Sequence, residues 1–466
     1  MVPVELVEAP GPEGPPEERS GARPRAGHRL TLLLVGALVV ALVAADARER
    51  ERPAPTHVPG FLFPVEDGLP PRWEVDAATA PALWRGALVG TTLVGPTSDG
   101  RVVGLDVTSG AELWATAVDV NPLLCRAAGA LVVCLRAPFL GTGGTSPRSR
   151  PVLGLPAVVL DPADGHVVRT VDPPGGVGAF VAGDVLVTTA LFQEPDWEGS
   201  TRTEERLRAE ALDPASGAAV WTRVSASLDP AATSTEVAAI GGTTVLRLRD
   251  TALLIGADGA EQGSVSTSGE AGLVATRSGG LFRYTSLAGD VMSELRLPDG
   301  SWVPAGGRLL WLAADDGSAP GAVFVVADNA AGAASSVSAL DDGTGEVEWT
   351  TEVPAGAAAL VGGLLVLATP GGLTALDAVT GEVAWTAATE RDVGEVVTDG
   401  RLVLVRRADL GVEAFALATG ERAWRADLLP LVSSPADWGP GAVLRFSGTT
   451  GLAWVERRDG TALVVG

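Results

Sequence analysis

The sequence predicts an all-β chain, a β-propeller of about eight four-stranded blades preceded by one transmembrane helix. That prediction rests on a strand-turn-strand pattern recurring along the chain, on 59 glycines set among short Val- and Leu-rich runs, and on a charge-free apolar run near the N-terminus. A helical solenoid would show a 3.6-residue apolar period and few glycines, whereas short strands punctuated by Gly turns are the mark of stacked sheets.

The chain has 466 residues, 46% of them hydrophobic and 20% charged, which is ample material for a large core. Its net charge of -23 repels phosphate backbones, so nucleic acid is not an expected partner. All 34 basic residues are arginine, as in proteins of GC-rich genomes, and chemistry that needs a phosphate-loop, Schiff-base or kinase lysine is excluded. With His28, His57 and His166 as the three histidines, a multi-histidine metal site cannot be assembled. His166 lies in the turn Asp164-Gly165-His166, where no partner is expected to orient it as a general base.

From the N-terminus, residues 1–28 are rich in Pro, Gly, Glu and Arg and read as a disordered cytoplasmic tail. Leu30 to Ala45, LTLLLVGALVVALVAA, is long enough to span hydrocarbon and defines a transmembrane helix over 29–46. As a cleaved secretory signal it offers Ala45 and Ala47 as a small-x-small site; as an uncleaved signal anchor it needs none, and the long polar leader favours the anchor. Arg19, Arg23, Arg25 and Arg29 precede the span and Arg48, Arg50 and Arg52 follow it, a small excess that puts the N-terminus inside. Both readings place the body outside the membrane. Residues 47–69 read as a proline-stiffened stalk and residues 70–466 as the propeller.

Cys125 and Cys134 flank a tight turn near Gly129 and Ala130, so they face each other across a hairpin. A disulfide there suits an oxidising compartment.

The recurring unit is an apolar strand ending in Leu-Asp, a Gly four residues after the Asp and a Trp eight residues after it. Full copies carry Asp106, Gly110 and Trp114; Asp213, Gly217 and Trp221; Asp341, Gly345 and Trp349; and Asp377, Gly381 and Trp385. A fifth copy keeps Gly420 and Trp424 but has Ala416 for the Asp, a sixth keeps Asp161 and Gly165 but loses the Trp, and weaker copies occur near Gly259, Gly300 and Gly460. The Asp accepts backbone N–H bonds in the turn, the Gly supplies positive φ, and the Trp lands on the returning strand. One or two apolar runs before each hairpin bring the unit to about four strands, and the Asp positions recur roughly every 36 to 55 residues, the spacing of propeller blades. Nine candidate hairpins, several degenerate, give an expectation of eight blades, with Trp73 pairing near the C-terminal strand to close the ring.

The motif resembles the tryptophan-docking repeat of the pyrroloquinoline-quinone-like propellers, from about residue 70 to the end. The resemblance implies that Trp114, Trp221, Trp349, Trp385 and Trp424 wedge between neighbouring blades and are structural. That family includes quinoprotein dehydrogenases, which hold the quinone with calcium and often cover it with a disulfide between adjacent cysteines. This chain departs from them: Cys125 and Cys134 are not adjacent, and no dense Asn/Asp/Glu cluster stands out for a hard cation. It is more similar to non-enzymatic members, such as the propeller subunit of the outer-membrane β-barrel assembly machinery and the sensor domains fused to bacterial kinases. No cofactor, metal or catalytic residue is therefore assigned. The expected role is a membrane-anchored extracytoplasmic scaffold or ligand-binding module whose partner is an unknown protein or small ligand. The alternatives are a quinoprotein dehydrogenase and a sensor of a small extracellular ligand.

Loop lengths indicate where binding would occur. The connection between second and third strands is short in later blades, as at Thr369 to Gly372, but long at Ala137 to Pro156 and Gln193 to Glu205. In antiparallel blades these loops emerge on one face, so both insertions decorate one rim. They carry Arg148 and Arg150 in the first, and Glu194, Asp196, Trp197 and Glu198 in the second, with Trp197 as a candidate interface anchor.

Overall fold

The computed structural model describes residues 60–466 apart from 119–123, 136–155, 173–175, 196–202, 225–234, 241–242, 249–250, 267–269, 276–280, 288–289, 329–333, 391–392, 394, 408–409 and 432–441. The apolar run 30–45 lies outside the described residues, among which no helix is long and apolar enough to cross a membrane.

The described chain forms nine sheets, eight of four strands and one of five, each built on an antiparallel meander. Blades 1 to 8 occupy residues 87–117, 124–171, 176–224, 235–266, 270–304, 308–351, 358–388 and 395–427, except that Leu312–Asp315 pairs parallel with Ala358–Val361 as the fifth strand of blade 7. In blade 9, Val443–Ser447, Leu452–Glu456 and Ala462–Val465 are joined by Pro71–Val75, which pairs antiparallel with the last strand and sets Trp73 opposite Val464. The first strands of blades 1 to 4, and those of blades 7 and 8, lie against one another, which places them at the axis. Third strands such as Gly372–Asp377 are almost wholly buried, while fourth strands such as Val383–Ala388 alternate exposed and buried positions.

The count is nine blades rather than the eight expected, and the closing blade explains the difference. Blades 1 to 8 each have a turn between third and fourth strands, so eight such turns exist, the degenerate ones at Gly259 and Gly300 included. Blade 9 takes its fourth strand from the other end of the chain and has no such turn. The Gly460 hairpin instead joins its second and third strands.

Each full turn is built in the same way. Asp377 N–H donates to Glu382 O and Gly381 N–H to Asp377 O, both at 2.8 Å, while one Asp377 carboxylate oxygen accepts from Val379 N–H at 3.0 Å and Thr380 N–H at 2.8 Å. Gly381 has φ +72°, and a Cβ there would come within 2.5 Å of the Trp349 ring of the preceding blade. Glycine is thus required both by the left-handed backbone and by the aromatic stacked on it. The same contact joins Trp73 to Gly110, Trp114 to Gly165, Trp221 to Gly259 and Trp385 to Gly420. Opposite each motif Trp on the third strand stands a small residue, Gly104, Ala211, Ala339, Ala375 or Ala414, over which the ring has room to lie.

Where the full turn is present, the indole N–H also finds a carbonyl, that of the residue after the Asp position. Trp73 donates to Val107 O at 3.2 Å, Trp114 to Pro162 O at 2.9 Å, Trp349 to Ala378 O at 3.1 Å and Trp385 to Leu417 O at 2.9 Å. Trp221 faces the shorter turn closed by Gly256 N–H to Ala260 O, and Trp424 faces the blade that lacks the turn; both indole nitrogens are buried with no hydrogen-bond partner among the described residues.

Junctions without Trp are filled by other means. Arg169, at the Trp position of blade 2, lies over Gly217 and donates to Ser216 O. Val303 of blade 5 packs at Gly345. In blade 4 the position is Gly263, and Arg296 of blade 5 reaches back to Gln262 O at 2.6 Å.

Residues 60–69, read from the sequence as stalk, belong to the packed body. Gly60 N–H donates to Gly448 O, Leu62 N–H to Thr398 O and Phe63 N–H to Gly451 O, all within 2.9 Å. Phe61, Leu62, Val65 and Leu69 are buried against blades 7, 8 and 9. Four apolar side chains in ten residues cannot remain in water beside an open apolar face.

Two outcomes test this account. Trp385→Phe should cost about 1 kcal/mol more in urea unfolding than Trp424→Phe, because only the first loses a hydrogen bond along with its ring area. The second concerns acid. The carboxyls of Asp106 and Asp341 are held below the usual aspartate range chiefly by the hydroxyls of Ser109 and Thr344, and those of Asp213 and Asp377 chiefly by the backbone N–H groups of Ser216 and Thr380. Their stabilisation is complete above the unfolded aspartate pKa of about 3.9 and is lost as pH falls through the lowered folded values. Thermal midpoints measured between about pH 2 and 5 should therefore drop below about pH 4 in the wild type and drop less when all four are Asn.

Candidate functional site

The two long insertions leave adjacent blades between second and third strands. In blade 2 the insertion follows Leu131–Leu135 and precedes Ala157–Leu160. Arg148 and Arg150 lie outside the described residues, as do Asp196, Trp197 and Glu198 of the second insertion.

The second insertion is largely not a loop, which corrects the reading of Gln193 to Glu205. Val185–Pro195 and Thr203–Leu212 run antiparallel, with Gln193 opposite Glu205, Glu194 opposite Glu204 and Pro195 opposite Thr203. The neighbouring strands stop sooner: the first strand pairs no further than Ala190 and the fourth no further than Arg208. Leu191–Pro195 and Thr203–Leu207 therefore pair with each other alone among the described strands. At about 3.3 Å per residue, five pairs make an arm of about 17 Å beyond the four-stranded blade. Length hides such an arm from loop counting, since an insertion is scored by residues and not by whether its two halves can pair.

Blade 2 carries the disulfide. Cys125 and Cys134 are paired residues on its first two strands, with S–S 2.03 Å and Cα–Cα 4.0 Å, and both are fully buried. The bond staples the base from which the first insertion departs.

A further constellation, not foreseen from the motif, lies between blades 7 and 8. An open cavity of about 410 Å³ is lined by Ala387, Ala388, Thr389, Glu390, Phe415, Gly420 and Arg422. Beside it, Arg425 contacts Glu390 directly, Arg407 stands 3.6 Å from Glu390 and 3.9 Å from Glu413, and Arg422 stands 3.8 Å from Glu390 and 3.7 Å from Glu413. Glu413 is 0% exposed, and neither carboxylate oxygen has a hydrogen-bond partner among the described residues. The signal in the sequence is a Glu where the corresponding third-strand position of blade 7 has Thr374 and that of blade 6 has Ser338.

Nine blades, eight of four strands and one of five, with a Trp docked on a turn glycine at five of the junctions, match the repeat architecture inferred from the motif, and residues 333–463, from blade 6 into blade 9, match the family model described as outer membrane protein assembly factor BamB. The described chain is a β-propeller, and its residues 333–463 carry the pyrroloquinoline-quinone-like repeat. Among solved structures this propeller is similar to BamB from Moraxella catarrhalis, at 13% identity over 85% of this chain and 99% of that one with a TM-score of 0.42. It is also similar to a eukaryotic initiation factor, at 11% identity over 78% and 90% with a TM-score of 0.49, and to quinohemoprotein alcohol dehydrogenase from Comamonas testosteroni, at 12% over 87% and 78% with a TM-score of 0.39. No curated protein matches the chain.

The disulfide spans two paired strands inside blade 2 with both cysteines out of reach of any ligand, and no three His, Cys, Asp or Glu side chains converge to hold a metal among the described residues.

Closing so short a hairpin, the Cys125–Cys134 bond is expected to contribute about 2–3 kcal/mol. Intact-mass analysis without reductant should show the bond, and the Cys125→Ala/Cys134→Ala variant should unfold at correspondingly lower urea.

Proposed function

We propose that this propeller is a non-catalytic protein-interaction scaffold, held outside the cell membrane by the apolar run 30–45, and that a partner protein engages the blade 3 arm together with the blade 2 insertion. The arm carries the reading. A two-stranded ribbon has two outer edges of backbone N–H and C=O groups without strand partners, and such edges are places where another chain adds a strand. Trp197 falls among the seven residues, Asp196 to Arg202, that join the two strands of the arm, and an aromatic anchor there would suit an interface. In sequence, the first insertion carries Arg148 and Arg150 and the second Glu194, Asp196 and Glu198, so the two insertions offer both signs of charge. The match of residues 333–463 to an assembly-factor family supports a scaffold, and the disulfide supports a compartment outside the cytoplasm.

The test is photocrosslinking from position 194 and from position 197 in intact cells. A single dominant adduct that is lost on Trp197→Ala, with thermal stability unchanged, is the expected result; absence of any arm-dependent adduct would sink the reading. Saturable calorimetric binding of pyrroloquinoline quinone with calcium would instead move the protein to the dehydrogenases.

A further inference from the structure

We infer that the inner edge of blade 2, at Arg126, receives an extended acidic segment of the partner protein, which adds there as a strand and sets a carboxylate on the guanidinium. This rests on the scaffold reading, whose partner it describes chemically. Leu124–Ala128 is the first strand of blade 2 and pairs on one side only, with Leu131–Leu135, so its edge toward the axis has no strand partner among the described residues. Cys125 and Cys134 are 4.0 Å apart at Cα, closer to the roughly 4.5 Å of a non-hydrogen-bonded pair than to the roughly 5.5 Å of a hydrogen-bonded one. The N–H and C=O of Cys125, and by alternation those of Ala127, therefore turn away from the second strand and toward that edge. Ala127 is exposed there. Blade 7 shows what such an edge accepts in this molecule, since Leu312–Asp315 runs parallel to its first strand, Ala358–Val361, as a fifth strand.

Charge selects the segment. Arg126 stands opposite Val133, which is buried in one cluster with Leu186 of blade 3, so its side chain leaves the strand on the blade 3 side. Among the described residues the half-buried guanidinium makes one hydrogen bond, from Nη1 to the neighbouring Cys125 O at 3.1 Å, and no ion pair. Burial holds its pKa below the usual arginine range with no carboxylate to oppose the shift. By contrast, Arg283, Arg406 and Arg457 each face a glutamate. In a chain whose net charge is -23, an arginine partly removed from water without an acid beside it is an exception that costs stability, and a carboxylate from outside would offset that cost. The Nε and Nη2 side of the fork is left for a two-pronged pair. The surrounding sequence points the same way. Between Asp119 and Asp161 stand Arg126, Arg136, Arg148 and Arg150 and no acidic residue, so an anionic segment reaching blade 2 meets attraction rather than the repulsion that the rest of the chain presents.

The experiment is fluorescence anisotropy of a labelled decapeptide of alternating Glu and Thr, with the Gln and Thr decapeptide as the uncharged control, titrated with the full-length chain and two variants. Arg126→Gln removes the charge and keeps most of the side chain; Ala127→Pro removes an N–H that faces the axis and that the blade itself does not use, at an edge where proline is tolerated. Saturable binding of the Glu peptide but not of the Gln peptide, weakened by about tenfold or more in each variant, is expected. The thermal midpoint of unliganded Arg126→Gln should be at least that of the wild type, whereas loss of a purely structural arginine would lower it. No saturable binding by the wild type, binding that persists in either variant, or a lowered midpoint for Arg126→Gln would overturn the inference. Crosslinking from the arm in cells is a separate readout, so failure here leaves the scaffold reading standing, and the reverse holds too.

Discussion

The stacking of an aromatic ring from one blade on a left-handed glycine of the next is the contact on which the structure depends. A four-stranded sheet has two faces, and each must be covered by a neighbour. Glycine at position 381 lets the backbone turn and lets Trp349 lie on it; the same pair, repeated, fixes the angle and spacing of successive blades. Trp73 makes that contact on behalf of a blade whose other strands come from the opposite end of the chain. The first and last strands are thereby paired and docked together, which turns a row of sheets with two open ends into a closed ring.

Departures from the repeat are where the molecule differs from a plain array. Replacement of Trp by Arg169 keeps a planar group over Gly217 and still offers hydrogen to the turn, so a change of residue type preserves the job. At the blade 7–8 junction Ala387 and Phe415 line a cavity, beside which Glu413 is buried among arginines. Extension of two strands in blade 3 adds an arm with unpaired edges.

Much was legible in advance because it is local. The turn chemistry of Asp106, Gly110 and Trp114 lies within nine residues, and strand pairing of Cys125 with Cys134 follows from a hairpin of ten. The ninth blade was not legible in that way, since its fourth strand lies far from the other three along the chain. Residues 60–69 read as stalk for a similar reason: prolines and charges nearby resemble a linker, and the apolar faces that bury Phe61 and Leu62 belong to strands far along the chain, from Ala314 onward. The arm was hidden because Gln193 and Glu205 are polar, and polar residues pair in a ribbon as readily as they form a loop.

By itself, then, the sequence determined the class of fold, the repeat and its docking residues, the disulfide and the two insertions, because each is written in spacings of a dozen residues or fewer. Tertiary structure decided the number of blades, the partner of each indole N–H, the shape of the second insertion and the gathering of Arg407, Arg422, Arg425, Glu390 and Glu413 around a cavity. Those depend on how one unit meets the next, and the energy of a junction is shared between residues that no local pattern joins.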